Sequence, residues 1–223
     1  MERWVGRTAR RYGAVTGLAL AGATLSLSAL AATPGTPGAA DPNANWPCVQ
    51  HKVEVLSALQ MWDGPTIDLA AKWWEDDPVR KLVPILVSRR IELPEAEKAI
   101  EALAKSMPET ERDARLTLLF TGVLDETNKV RKRVIQGIER FQERQVARAR
   151  QLEEQGIRLA DLHKRADKGE AVTDEVDRQQ QAYDWDARVF KERQDNLPLA
   201  CEVPQLIEQR IFAIARAIRA HMS

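Results

Sequence analysis

An all-α fold is predicted for this chain: a short-helix N-terminal bundle, then a long antiparallel helical hairpin, then a C-terminal helix packed at its base. Three observations carry that expectation. Alternating runs rich in Val, Ile and Tyr, which would signal strands, do not occur. Proline and capping residues recur at short intervals through residues 48–107. From Glu109 to about Lys168 there is no proline at all, and apolar residues return at helical spacing.

The chain opens on MERWVGRTARRYG, with Arg3, Arg7, Arg10 and Arg11 against Glu2, followed by the apolar stretch AVTGLALAGATLSLSALAA. A basic start, an apolar run and the small-residue site Ala29-Leu30-Ala31 make residues 1–31 a secretory signal peptide, cleaved near Ala31 or Ala32. TARRYGA lacks the hydrophobic pair of a twin-arginine signal, and Ala44-Asn45-Trp46-Pro47 before Cys48 is no lipobox. The expected compartment is therefore the periplasm, with no stable membrane span after cleavage. Residues 32–47, beginning ATPGTPGAADPNA, read as a flexible spacer. Cleavage removes four of 33 basic and one of 33 acidic side chains, leaving a net charge of about −3. Nucleic acid would need a basic face, so it is not an expected partner.

Cys48 and Cys201 are the whole thiol inventory. No C-x-x-C occurs, and His51, His163 and His221 are scattered, so neither a redox motif nor a zinc site is indicated. In an exported chain the pair reads as a structural disulfide, stabilising the fold by about 4–5 kcal/mol in the chain-entropy account of so long a loop. Both cysteines are expected at helix breaks, NWPCVQ and NLPLACEVP, so that the bond pins the mature N-terminus to the C-terminal helix.

Residues 48–107 are expected to form three or four short helices. Asp77-Pro78 reads as an N-cap followed by proline, Leu93-Pro94-Glu95 as a helix start, and Ser106 to Glu109 as a capping box. Leu56, Leu59, Ile67, Leu69, Leu82, Val83, Leu86 and Ile91 are the expected buried side, and Pro84 should kink or divide its helix. Residues 108–223 hold the long hairpin and the C-terminal helix. The first arm carries Val130, Val134, Ile138, Phe141, Ala149, Leu152, Leu159 and Leu162 in steps of three, four or their multiples. Gly169 supplies the stop. Thr173 is the expected cap of the return arm, with Asp174 and Glu175 in its first turn and a stripe of Val172, Val176, Tyr183, Ala187 and Phe190. The last helix, about Pro204 to His221, carries Leu206, Ile207, Ile211, Ile214 and Ile218. The pattern is that of a short coiled coil. Because the return arm is shorter, Val130, Val134 and Ile138 need other cover, expected from the terminal helices.

Catalytic patterns are missing. Ser and His fall in no nucleophile setting, WWEDDP lacks the spacing of a calcium loop and reads as capping and surface charge, and the interleaved Glu139, Arg140, Glu143 and Arg144 read as a solvated helix face. Trp46, Trp62, Trp73 and Trp74 cluster within 29 residues. They read first as core and second as a partner-binding patch. The candidate partner-binding residues are Trp62, Trp73, Trp74, Tyr183 and Trp185, with no catalytic residue, metal ligand or cofactor assigned. The first functional reading is a non-enzymatic periplasmic interaction protein (scaffold, adaptor or accessory factor) whose partner is another envelope protein or a second copy. The alternatives are a small-ligand or metal-handling helical bundle with a tryptophan-lined pocket, and a carboxylate-based enzyme.

Overall fold

The computed structural model describes residues 45–223, which belong to one compact unit; the expected signal peptide and most of the expected spacer lie outside them. Among the described residues every regular element is helical: α1 (Ala58–Met61), a 3-10 turn (Trp73–Glu75), α2 (Asp77–Val87), α3 (Leu93–Lys105), α4 (Glu109–Asp167), α5 (Thr173–Asp195) and α6 (Leu197–Arg219). None of these helices is long and apolar enough to cross a membrane.

The base is built where α1, α2, α3 and α6 pack on the first third of α4. Phe120, Leu116, Leu119 and Leu124 of α4 meet Val79, Val83 and Leu86 of α2, Ile100 of α3, and Ile211, Ile214 and Ile218 of α6. All are buried because each helix presents apolar side chains at i, i+3, i+4 and i+7. Of the residues expected on the buried side of the first subdomain, Leu56, Leu82, Val83 and Leu86 are buried and Ile67 and Ile91 half-buried, but Leu59 and Leu69 face solvent. The reason is length. Leu59 sits in a four-residue helix and Leu69 in a loop, and neither element has a second turn to commit both sides.

Helix ends differ from expectation in instructive ways. The N-cap of α2 is Asp76, whose carboxylate accepts from Val79 N at 3.1 Å and from Arg115 Nε at 2.9 Å, tying the start of α2 to α4. Pro84 does not divide α2; it lies on the exposed side, where its missing donor costs least. The Ser106–Glu109 capping box does not form. Ser106 Oγ instead donates to Leu103 O at 2.7 Å, closing α3, and Pro108 precedes α4. α4 then runs unbroken for 59 residues, about 88 Å at 1.5 Å per residue.

Gly169 ends α4 with φ of 84°. Its N–H donates to Ala166 O and that of Glu170 to Arg165 O, at 2.9 and 3.2 Å, the paired bonds of a Schellman turn. Arg165 also pairs with Glu170 at 2.7 Å across the same turn. Thr173 is the first residue of α5 and not its side-chain cap; Val172 holds that position. α6 begins at Leu197 rather than near Pro204, so Cys201 lies inside a helix and not at a break. This helix is bent and contains Pro204, a residue that removes one hydrogen bond without ending the helix when neighbours take up the freed groups.

The disulfide is present, Cys48 to Cys201, with Cα atoms 5.6 Å apart. It anchors a strap, residues 45–56, that has no regular structure at its centre and runs antiparallel to α4. Asn45 donates to Glu143 (2.9 Å), Lys52 pairs with Glu139 (2.7 Å), Arg131 donates to Val53 O (2.8 Å), and Leu56 exchanges two bonds with Asn128 (2.8 and 3.1 Å). Asn45, and Trp46, whose indole N–H donates to Gln50 O at 2.7 Å, are thus already held although they fall in the expected spacer. Strap and α6 supply the cover that the short return arm cannot. Ile138 is buried and Val130 and Val134 half-buried, while the most enclosed residues of this stretch are Arg131 and Ile135, one position off the expected stripe.

Candidate interaction site

The predicted site residues separate into two groups that the fold does not bring together. Trp62 and Trp73 are core. Trp62 stacks on Phe120 with ring centroids 4.3 Å apart and planes at 10°, and its indole N–H donates to Pro65 O at 2.8 Å. Trp73 lies over Gly122, and its N–H reaches Asp125 Oδ2 at 3.0 Å. Each ring has both an apolar bed and a partner for its one donor, the condition for burying an indole. Trp74 stands edge-on to Trp73 at 5.8 Å and is half exposed. Two neighbours on a helical turn cannot face the same core, which is why one of them is outside.

On the arm, Tyr183 faces the α4–α5 seam, where it lies over Gly156; a β-carbon there would approach its ring within 3.7 Å. Trp185, two residues on and roughly 200° around the helix, points away from the seam and is 63% exposed. The seam itself is mostly polar. Asp186 accepts from Arg148 at 3.2 Å and from Gln155 at 2.9 Å, and Gln145 is buried with its amide nitrogen unpartnered. Leu159 and Val176 are its buried apolar residues.

The acids of WWEDDP are engaged structurally: Asp76 caps α2, Glu75 pairs with Lys72 at 3.0 Å, and Asp77 pairs with Arg80 and Lys81. An open groove of about 560 Å³ lies between α1 and α6. It is lined by Gln60, Met61, Gln205, Glu208, Gln209 and Phe212, so its walls carry no tryptophan.

Sequence reasoning missed Arg131. It is buried, donates to Val53 O and Pro204 O at 2.8 and 2.6 Å, and lies 3.8 Å from Glu208. Burial pushes its guanidinium below the ordinary arginine range, with Glu208 opposing. The available signal was its place four residues after Thr127 and four before Ile135, on the side that α6 covers. Lys52 is shifted the other way, upward, chiefly by its hydrogen bond to Glu139.

Comparison with known proteins returns no matching family model, no similar curated protein and no similar solved structure.

Proposed function

We propose that this chain is a non-enzymatic interaction protein of the cell envelope, exported to the periplasm, in which a rigid disulfide-tied base carries a two-helix arm that docks a partner protein. The observation that supports this reading most is Trp185. A large aromatic side chain held 63% exposed on the back of α5 leaves most of its surface unused by its own fold. Exposed tryptophans on a rigid helix are the residue type that dominates binding energy at protein interfaces. Nearer the base Val130 lies against α6 and Ile138 is buried, which leaves the distal arm as the end with least cover.

The test is site-specific photo-crosslinking in intact cells. A photoreactive residue at position 185 should give a defined protein adduct, and the same residue at Val49, fully exposed beside the disulfide, should give none. Trp185→Ala should abolish the association without changing the melting temperature. Val134→Glu, by contrast, should destabilise the protein, because it places a charge against half-buried apolar surface. If position 185 yields no adduct, or Trp185→Ala unfolds the arm, the assignment of this face fails.

A further inference from the structure

The middle of α4 holds a surface separate from the Trp185 face. Residues 129–150 contain eight Lys or Arg and only two acids, Glu139 and Glu143, whereas the rest of the described chain is net acidic. Arg133, Gly137, Arg140 and Arg144 stand at i, i+4, i+7 and i+11, so they form one row on one side of the helix, about 17 Å long.

The three arginines are exposed, and among the described residues none has an ion pair or hydrogen bond. Arg133 and Arg144 have no acid three or four residues away, the spacing at which a helix pairs its own charges. Of the two acids that could have neutralised the row, Glu139 is paired with Lys52 of the strap at 2.7 Å, whereas Glu143 accepts from the neutral Asn45 amide at 2.9 Å and keeps its charge. What reads in sequence as a solvated face of mixed charge is in the fold a net cationic one, three arginines against the one unpaired carboxylate of Glu143.

Gly137 interrupts the row. A β-carbon built on it meets nothing within 4 Å, so the gap between Arg133 and Arg140 is open to solvent. Half-buried Val134 and Phe141 border it, each one position beyond an arginine.

We propose that this row is a docking surface for an acidic helical segment of a partner protein, laid along α4 with its backbone over Gly137 and its carboxylates on Arg133, Arg140 and Arg144. The geometry favours a rod over a plane. A notch one residue wide admits a helix, and it offers nothing to a flat anionic bilayer, which would also meet the net acidic base and distal arm. Electrostatic complementarity of this kind sets partner choice and encounter rate.

The experiment uses the full mature chain and three probes. These are an alanine-based helical peptide of about 20 residues carrying glutamates in a row at seven- and four-residue spacing, the same composition with glutamates spread around the helix, and phosphatidylglycerol vesicles. The row peptide should bind, and Arg133→Ser/Arg140→Ser/Arg144→Ser should weaken it about tenfold, with binding falling as salt rises. Gly137→Leu should weaken it by a similar factor while leaving the melting temperature undiminished.

Equal binding of the scattered peptide, or Gly137→Leu binding as wild type, would overturn the notch-and-row geometry. Vesicle binding lost in the arginine triple variant would assign the face to a membrane instead. Self-association in sedimentation, lost in the same variant, would assign it to a second copy. Trp185→Ala should leave peptide binding untouched, so failure here and failure of the arm reading are told apart.

Discussion

Two stretches of the same helix behave as different materials. Between Leu116 and Leu124, α4 buries Leu116, Leu119, Phe120, Thr121, Gly122, Val123 and Leu124, enclosed by α2, the Trp73 turn and α6. Between Gln145 and Asp167 it buries only Gln145 and Leu159, against the single neighbour α5. The backbone bonds are alike in both. The difference is tertiary, and helical stability in proteins comes mainly from packing of that kind. The base therefore carries the global stability, and the arm is a low-stability unit that opens without it. The docking role proposed for the arm would be served by that separation, since its surface could vary with the partner while the core does not.

The largest expected effect lies in the base. Phe120→Ala removes a fully buried ring that Trp62 stacks on, and should cost about 3–5 kcal/mol. Chemical denaturation should show the loss as a lower midpoint for both base and arm. A change confined to the arm signal would reverse the assignment of the two regions.

Next is the tie between strap and α6. Cys48→Ser with Cys201→Ser should lower stability by about 2–5 kcal/mol. Strap amides near Val53 and Leu56 should lose hydrogen-exchange protection before those of α3, since only side-chain bonds from Asn128, Arg131, Glu139 and Glu143 then hold the strap to α4. Equal protection of strap and α3 in the variant would show that the side-chain bonds suffice.

Third comes the close contact inside the base. A β-carbon on Gly122 would stand 2.7 Å from Val83 Cγ2 and 2.9 Å from the Trp73 ring. Gly122→Ala should therefore cost about 1–3 kcal/mol, the usual range for overpacking a filled core, despite the better helix propensity of alanine.

How much of this was legible beforehand follows the same division. The long helix, its stop at Gly169, the return arm and the disulfide pairing could be read because period and punctuation act locally and the two cysteines have only each other. The failures are tertiary. Leu59 and Leu69 are apolar but sit on elements too short to bury both sides. Pro204 looks like a helix start and is instead an internal residue of α6, whose carbonyl accepts from Arg131. Arg131 looks like surface charge, and its partners Val53 and Pro204 are more than 70 residues away. The strap reads in sequence as spacer up to Pro47, because Asn45 and Trp46 reveal nothing locally of their bonds to Glu143 and Gln50. The same blindness hid the cationic row, since only the strap shows where Glu139 and Glu143 go. Of the candidate site residues, Trp62 and Trp73 are core, and helix phase alone says that the adjacent Trp73 and Trp74 cannot both be buried.

Leu159→Ala probes the arm. Its seam can relax toward solvent, so the loss should appear as faster hydrogen exchange through residues 152–166 and 176–190, with the global melting temperature nearly unchanged. A global shift as large as that of Phe120→Ala would mean that arm and base unfold as one unit.

The smallest effect has the opposite sign and uses the other glycine of the comparison. Gly137 is helical like Gly122, yet nothing lies within 4 Å of where its β-carbon would be. With no neighbour to displace, Gly137→Ala changes only backbone freedom and propensity. It should therefore stabilise the protein by about 0.5–1 kcal/mol. The pair of alanine variants, 15 positions apart on one helix, thus moves stability in opposite directions for a reason that lies wholly in what packs against each site. Thermal melts of both, run side by side, check it. If Gly137→Ala is also destabilising, then something covers that side of α4 in solution, and the first place to look is a partner already bound on the row between Arg133 and Arg144.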